Sequence, residues 1–102
     1  MRILLTNDDG ISAPALWRLH HVLRELGTVT VVAPTRQQSG VGHAITYRTP
    51  VVVEEVQRDD QPNADAYSLT GTPADCVKFA ILELLPQKPD LVVSGINPGL
   101  NL

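Results

Sequence analysis

Cysteine is almost absent from this sequence, since Cys76 is the only one among 102 residues. A single cysteine cannot form an internal disulfide, and this usage agrees with a reducing compartment. No apolar run approaches the length of a membrane span. Arg2, Asp8 and Asp9 interrupt the N-terminus before a signal-peptide core could form. These absences together predict a cytoplasmic protein.

Basic residues are also scarce, because eight Lys and Arg stand against eleven Asp and Glu, a formal net charge of −3. This balance argues against a broad nucleic-acid-binding face, so a bound phosphate group would have to be held by local contacts. The 102 residues leave room for one domain at most.

Two adjacent carboxylates, Asp8 and Asp9, follow directly on the apolar residues 3–6. The apolar run has no alternation, which is typical of an interior strand in a parallel sheet, and ligands bind at the carboxyl ends of such strands. Adjacent carboxylates repel each other, and a hard cation such as Mg²⁺ or Mn²⁺ would explain placing both there. The alternative is that one Asp caps the next helix while the other is solvated. The spacing alone does not choose between these two explanations.

The following residues predict a first βαβ unit. Pro14 begins a helix that should run to about Leu26, with Ser12 or Ala13 as its cap and Gly27 closing it in a left-handed conformation. A second parallel strand is predicted over residues 28–33. The apolar stripe of the helix consists of Leu16, Leu19, Leu23 and Leu26.

The middle of the chain departs from simple alternation of strands and helices. Residues 46–56 and 65–69 predict an antiparallel hairpin inserted at one side of the sheet. Thr72 is placed to cap a second helix, with Pro73 in its first position. Residues 90–95 predict a third parallel strand, which a crossover can place beside the first.

Polar residues follow each of the three predicted parallel strands. Ser39 and Gly40 lie in the loop after the second strand, and Asn97 follows the third. Since the carboxyl ends of parallel strands meet at one edge, two carboxylates, a hydroxyl and an amide oxygen should converge there. This donor set predicts an open divalent-metal site, with its remaining positions left to water and substrate. His20, His21 and Cys76 are instead predicted to be packing or surface residues.

Four blocks of the sequence resemble the survival protein SurE family. They are M-R-I-L-L-T-N-D-D-G-I-x-A-P, V-V-A-P-x-x-x-x-S-G-x-G-x-x-I-T, L-T-G-T-P-A-D-C-V and P-D-L-V-V-S-G-I-N-x-G-x-N. The resemblance implies a Rossmann-like three-layer α/β sandwich and a metal-dependent nucleotidase acting on nucleoside monophosphates, some members also accepting 3′-nucleotides. It further implies a cytoplasmic enzyme that forms dimers or tetramers.

The resemblance also assigns roles to individual residues. The metal ligands would be Asp8, Asp9, Ser39 and Asn97, and the residues lining the phosphate pocket would include Asn7, Gly40 and Asn101. Asp8 or Asp9 would also be the catalytic group that accepts a proton from water, and the sequence does not decide which. The last block breaks off at Leu102, so residues 1–102 resemble the N-terminal part of a single nucleotidase domain, truncated at its C-terminus.

Two other functions stay open at this level. A phospho-acceptor receiver domain also has an acidic pair after its first strand, but it needs a third Asp and a Lys where this sequence offers Ser39 and Asn97. A non-catalytic fragment that binds metal or nucleotide without turnover is the other alternative. Base preference and the choice between 5′ and 3′ phosphate are not readable from these residues.

Overall fold

The secondary structure follows the predicted βαβ plan, with helices on both sides of one sheet. A computed structural model describes residues 1–36 and 51–97. The strands are β1 (Arg2–Thr6), β2 (Thr28–Pro34), β3 (Val53–Glu55), β4 (Asp65–Leu69) and β5 (Leu91–Ser94). The helices are α1 (Pro14–Leu23) and α2 (Pro73–Phe79), which continues as a π-helical turn over Ala80–Leu84. None of the helices in these ranges is long and apolar enough to cross a membrane.

The sheet has the order β3-β4-β2-β1-β5, and only the β3–β4 pair is antiparallel. β1 therefore lies between β2 and β5, as the sequence predicted for the first and last parallel strands. Its residues Ile3, Leu4 and Leu5 are at most 2% exposed. This burial on both faces explains why the run has no polar alternation.

The core consists of two clusters, one on each face of the sheet. Ile3 and Leu5 pack in the cluster that contains Leu16 and Trp17 of α1. Leu4 packs on the opposite face, in the cluster that contains Cys76 and Ala80 of the second helix. The predicted three-layer α/β sandwich is thereby confirmed.

One strand has a second role that the sequence did not reveal. β4 forms the predicted antiparallel pair with β3, but it also pairs in parallel with β2, from Thr30 opposite Asp65 to Pro34 opposite Leu69. The described sheet thus has four parallel strands, not three. The prediction missed this because hairpin signals report only the neighbour along the chain. Residues 46–50 of the predicted hairpin lie outside the described residues.

The predicted end of the first helix was wrong. α1 ends at Leu23, and Leu26 is 58% exposed, so Leu26 does not extend the apolar stripe. Gly27 is not left-handed, since Gly10 is the glycine with positive φ in the part of the chain that the structure describes. Gly27 is required for a different reason, because a Cβ there would collide with the carbonyl of Met1, which accepts a hydrogen bond from the N–H of Thr28.

The two helices begin differently. Of the two predicted caps of α1, the structure shows Ala13 and not Ser12. Ala13 supplies no side-chain hydrogen bond to the helix. Thr72 caps α2 as predicted and forms a capping box with Asp75. The Thr72 hydroxyl accepts from the Asp75 N–H at 3.1 Å, and the Asp75 carboxylate accepts from the Thr72 N–H at 3.0 Å.

His20 is a packing residue, as predicted, whereas His21 is exposed. The His20 side chain is 2% exposed, and its ring centroid lies 5.2 Å from that of Trp17. Its Nδ1 has no hydrogen-bond partner within residues 1–36 and 51–97. Burial lowers the pKa of His20 below its ordinary value of 6.5, and the nearby charges of Arg24, His21 and Arg58 act in the same direction.

This burial makes stability depend on pH. The unfolded chain binds a proton on His20 more readily than the folded chain does, so the stabilising contribution is present above pH 6.5 and is lost as the pH falls below that value. We expect the free energy of unfolding to decline there by up to about 1.4 kcal/mol per pH unit for this one proton. His20→Phe should flatten the decline in denaturant titrations, and His21→Gln, on the exposed neighbour, should keep it. An equally steep decline in His20→Phe would contradict this assignment.

Candidate functional site

The segment that follows β1, residues 7–13, is called the acid loop because it contains Asp8 and Asp9. Its first part is closed by Asn7, which is fully buried. The Asn7 Nδ2 donates to the Gly10 carbonyl at 3.0 Å, and its Oδ1 accepts from the Gly10 N–H at 3.1 Å. Gly10 has φ of 104°, a conformation that side-chain-bearing residues rarely adopt. Asn7 and Gly10 therefore hold the backbone reversal that presents the two carboxylates.

The second part of the acid loop is anchored at Ile11 from two sides. The Ile11 N–H donates to the carbonyl of Pro34, at the end of β2, at 2.8 Å. The Ile11 carbonyl accepts from the indole Nε1 of Trp17 at 2.6 Å. The loop is thereby attached both to the neighbouring strand and to the first helix.

Asp8 and Asp9 are half-buried at the turn of this loop. Neither carboxylate has a hydrogen bond or ion pair with another described residue. The first turn of α1 contains no acidic residue, and its N-cap is Ala13, so neither Asp caps the helix. One of the two explanations for the acidic pair, helix capping, is therefore excluded.

Asn97 lies beside the acidic pair, as the strand order predicted. β5 pairs in parallel with β1, and the Gly95 N–H donates to the Thr6 carbonyl at 2.9 Å, so the two strands leave the sheet together. The Asn97 Oδ1 then accepts from the Asp8 backbone N–H at 2.8 Å. Because that partner is a donor, the amide oxygen of Asn97, not its NH₂ group, faces the acid loop.

This meeting place is the point where the strand order reverses. From β1 the chain moves to β2 and β4 on one side, and then crosses to β5 on the other side of β1. The connections therefore diverge between β1 and β5, which opens a crevice at their carboxyl ends. Ligands of α/β folds bind in such crevices, and Asp8, Asp9 and Asn97 lie at this one.

The structure describes only some of the predicted site residues. Ser39, Gly40 and Asn101 fall outside the described residues. Residues 1–36 and 51–97 contain no group of three or more His, Cys, Asp and Glu that could hold a metal ion. The predicted donor set has only two residues of these four types, Asp8 and Asp9, and its other two ligands are a hydroxyl and an amide. A search for three such residues therefore does not test it.

Cys76 is a packed thiol, as predicted. It lies in α2 and is fully buried, and burial raises the pKa of its thiol to about 12, a shift that the neighbouring Thr6 hydroxyl opposes. The thiol therefore stays protonated at neutral pH, whereas a cysteine nucleophile needs the thiolate. The geometry gives Cys76 no part in the chemistry of the acid loop.

The sequence did not reveal the contacts by which Asn7 and Trp17 shape the site. The loop-closing contacts of Asn7 have a weak signal, since Asn and Gly three residues apart are common in turns that an Asn side chain closes. From the sequence alone, Trp17 is most simply a packing residue. A buried indole N–H needs an acceptor, but no pattern in the sequence identifies that acceptor as the Ile11 carbonyl.

Comparisons with known proteins agree on one family. The sequence profile described as "Survival protein SurE" matches residues 3–102. A protein named 5'-nucleotidase SurE from Rhodopirellula baltica is 57% identical over 102 residues, which cover 99% of this chain and 40% of that protein. Another of that name, from Christiangramia forsetii, is 54% identical over 99 residues, which cover 97% of this chain and 38% of that protein.

A solved structure shares the fold. The crystal structure of the SurE protein from Aquifex aeolicus superposes with a TM-score of 0.78 at 45% sequence identity, covering 100% of this chain and 40% of that chain. The present chain thus spans about 40% of the length of that structure and of the Rhodopirellula baltica relative. The four sequence blocks, the profile and the strand order agree, and the chain belongs to the survival protein SurE family.

Proposed function

We propose that this chain carries the metal-binding part of a phosphomonoesterase that hydrolyses nucleoside 5′-monophosphates to nucleoside and phosphate. The observation that carries the proposal is the meeting of Asp8, Asp9 and Asn97 at the switch point between β1 and β5. The names of the relatives, which describe 5'-nucleotidases, supply the reaction class. The acidic pair after β1 was the feature that this chain shares with receiver domains. Since the chain belongs to the SurE family, that pair no longer supports a receiver domain.

The residues fit a hard divalent cation. Two half-buried carboxylates without a protein partner among the described residues would repel each other, and a cation between them would offset that repulsion. We assign Asp8, Asp9 and Asn97 as ligands, with Ser39 as the fourth. Mg²⁺ or Mn²⁺ matches this oxygen-only donor set. When bound, such an ion would offset charge on the phosphoryl oxygens and lower the pKa of water.

The protein groups prepare this site in two ways. The Asp8 N–H fixes the rotation of the Asn97 amide, and the second lone pair of its Oδ1 stays available to a ligand. The Asn7 amide donates to the Gly10 carbonyl and accepts from the Gly10 N–H, so its described contacts hold the acid loop. The roles of Asn7, Gly40 and Asn101 in lining a phosphate pocket stay predictions.

The proposed reaction needs one proton acceptor. The oxygen of the attacking water bonds to phosphorus, and the bond from phosphorus to the ester oxygen breaks. The departing ester oxygen takes up a proton from solvent water, so the nucleoside leaves as an alcohol. A carboxylate oxygen of Asp8 or Asp9 would take the proton that water loses.

Location and assembly belong to the same proposal. We propose a cytoplasmic protein, because the single cysteine agrees with a reducing compartment. We also propose assembly into homo-dimers or tetramers, which the family resemblance supports.

The metal assignment predicts the effect of removing one ligand charge. Asp9→Asn should weaken Mg²⁺ or Mn²⁺ binding by the 102-residue chain roughly 10- to 100-fold, with little loss of fold, because a neutral amide replaces a carboxylate. Isothermal titration calorimetry measures the affinity and circular dichroism checks the fold. Asp59→Asn makes the same chemical change in the exposed turn of residues 58–61 and should leave the affinity at the parental value. Parental affinity in Asp9→Asn would reject the assignment.

A polypeptide of these 102 residues should turn over substrate poorly even when it binds metal. Leu91 and Val92 of β5 are 39% and 44% exposed, and no described strand pairs with the outer edge of β5, an arrangement that favours self-association. Asn97 follows this exposed strand, and a ligand displaced by about 1 Å can lower a rate roughly 10²-fold.

Phosphate release from nucleoside monophosphates, normalised to bound metal, measures that difference. We expect the 102-residue polypeptide to fall at least roughly 10²-fold below the Rhodopirellula baltica relative, with metal affinities that differ less. Equal turnover per bound metal would show that the exposed β5 edge leaves the site intact.

A further inference from the structure

We propose that Trp17 is a positioning residue of the metal site, acting through its indole N–H on the acid loop. The inference rests on the proposed function, because it assumes that Asp8 and Asp9 hold a divalent cation. It differs from a packing role in that the polar atom of the side chain, and not only its apolar surface, is needed for metal binding.

The contact itself is short and buried. Trp17 lies in the first turn of α1 and is 4% exposed, and its Nε1 donates to the Ile11 carbonyl at 2.6 Å. Ile11 is two residues beyond Asp9. An indole N–H can only donate, and a buried donor without an acceptor costs free energy, so the helix and the loop are held together at this atom.

The remaining contacts of the acid loop do not replace this one. Asn7 closes the loop only from its own residue to Gly10. Beyond Gly10, the Ile11 N–H is attached to the Pro34 carbonyl. The Trp17 indole is the donor that the structure places on the Ile11 carbonyl among residues 1–36 and 51–97. Without it, Ile11 would stay attached to β2, and the described hydrogen bond that remains between α1 and the loop would be the one from the Leu16 N–H to the Ala13 carbonyl.

The indole ring is itself fixed by its neighbours. The guanidinium carbon of Arg58 lies 4.6 Å from the Trp17 ring centroid, and Arg58 is in turn held by the Asp60 carboxylate at 3.0 and 3.1 Å. The His20 ring packs against Trp17 at a centroid distance of 5.2 Å. With the ring held in this way, the direction of the N–H is set before any ligand binds, which is what a preorganised site requires.

The test removes the N–H and keeps the shape. Replacement of Trp17 by 3-benzothienylalanine, in which sulfur takes the place of the N–H, preserves the ring and its packing against Arg58. We expect Mg²⁺ affinity, measured by calorimetry on the 102-residue chain, to fall about 10-fold, as is typical when a residue that orients a ligand is lost. Leu23→Val removes a methylene from the same core cluster at the opposite end of α1 from the acid loop, and it should keep the parental affinity.

A spectroscopic measurement tests whether metal binding changes the surroundings of Trp17. Trp17 is the only tryptophan in the sequence, so emission excited selectively over the two tyrosines reports this side chain alone. Mg²⁺ should change the emission of the parent with the midpoint found by calorimetry, and Asp9→Asn should lose that change at the same concentrations.

The outcomes are distinguishable. Parental affinity in the benzothienyl variant, with binding lost in Asp9→Asn, would overturn the role of Trp17 and leave the proposed function standing. An equal loss of Mg²⁺ affinity in the benzothienyl variant and in Leu23→Val would show that Trp17 acts only through packing. Unchanged binding in Asp9→Asn would overturn both.

Discussion

The hydrogen bond from the Asp8 N–H to the Asn97 Oδ1 joins the ends of two parallel strands that are 89 residues apart in the sequence. It can form only because β1 lies between β2 and β5, and β1 takes that position because its residues are buried on both faces. The same strand order opens the crevice in which the acidic pair lies. The apolar run at the start of the chain therefore determines both the centre of the fold and the location of the site.

Polar groups in this structure divide into those that hold the backbone and those left for chemistry. Asn7, Trp17 and the capping box at Thr72 satisfy backbone groups that burial would otherwise leave unpaired. His20 and Cys76 are buried, and burial favours the neutral form of each. The Asp8 and Asp9 carboxylates do neither: they are half-buried, and they have no partner among the described residues. No described side chain offsets the repulsion between these two negative charges, which is the physical basis for assigning a cation to them.

The features that the sequence predicted depend on local signals. A non-alternating apolar run predicted β1, and a Thr-Pro entry predicted the start of α2. The approach of Asn97 to the acidic pair followed from one topological rule applied to those elements. What escaped prediction depends on contacts distant in sequence: the parallel pairing of β4 with β2, the early end of α1, and the steric demand of the Met1 carbonyl at Gly27. The Trp17 contact escaped for the same reason, because its acceptor is defined only once the acid loop is folded.

The proposed metal site is tested most directly by finding where a divalent ion binds, and nuclear magnetic resonance can locate the ion. Mn²⁺ added at substoichiometric amounts to the ¹⁵N-labelled chain broadens amide signals near the bound ion. We expect the amide signals of residues 8–10 and 95–97 to broaden first, while those of the acidic turn at Asp59 and Asp60 keep their intensity. Broadening centred on Asp59 and Asp60, or spread evenly over exposed carboxylates, would contradict a metal site at the meeting of β1 and β5.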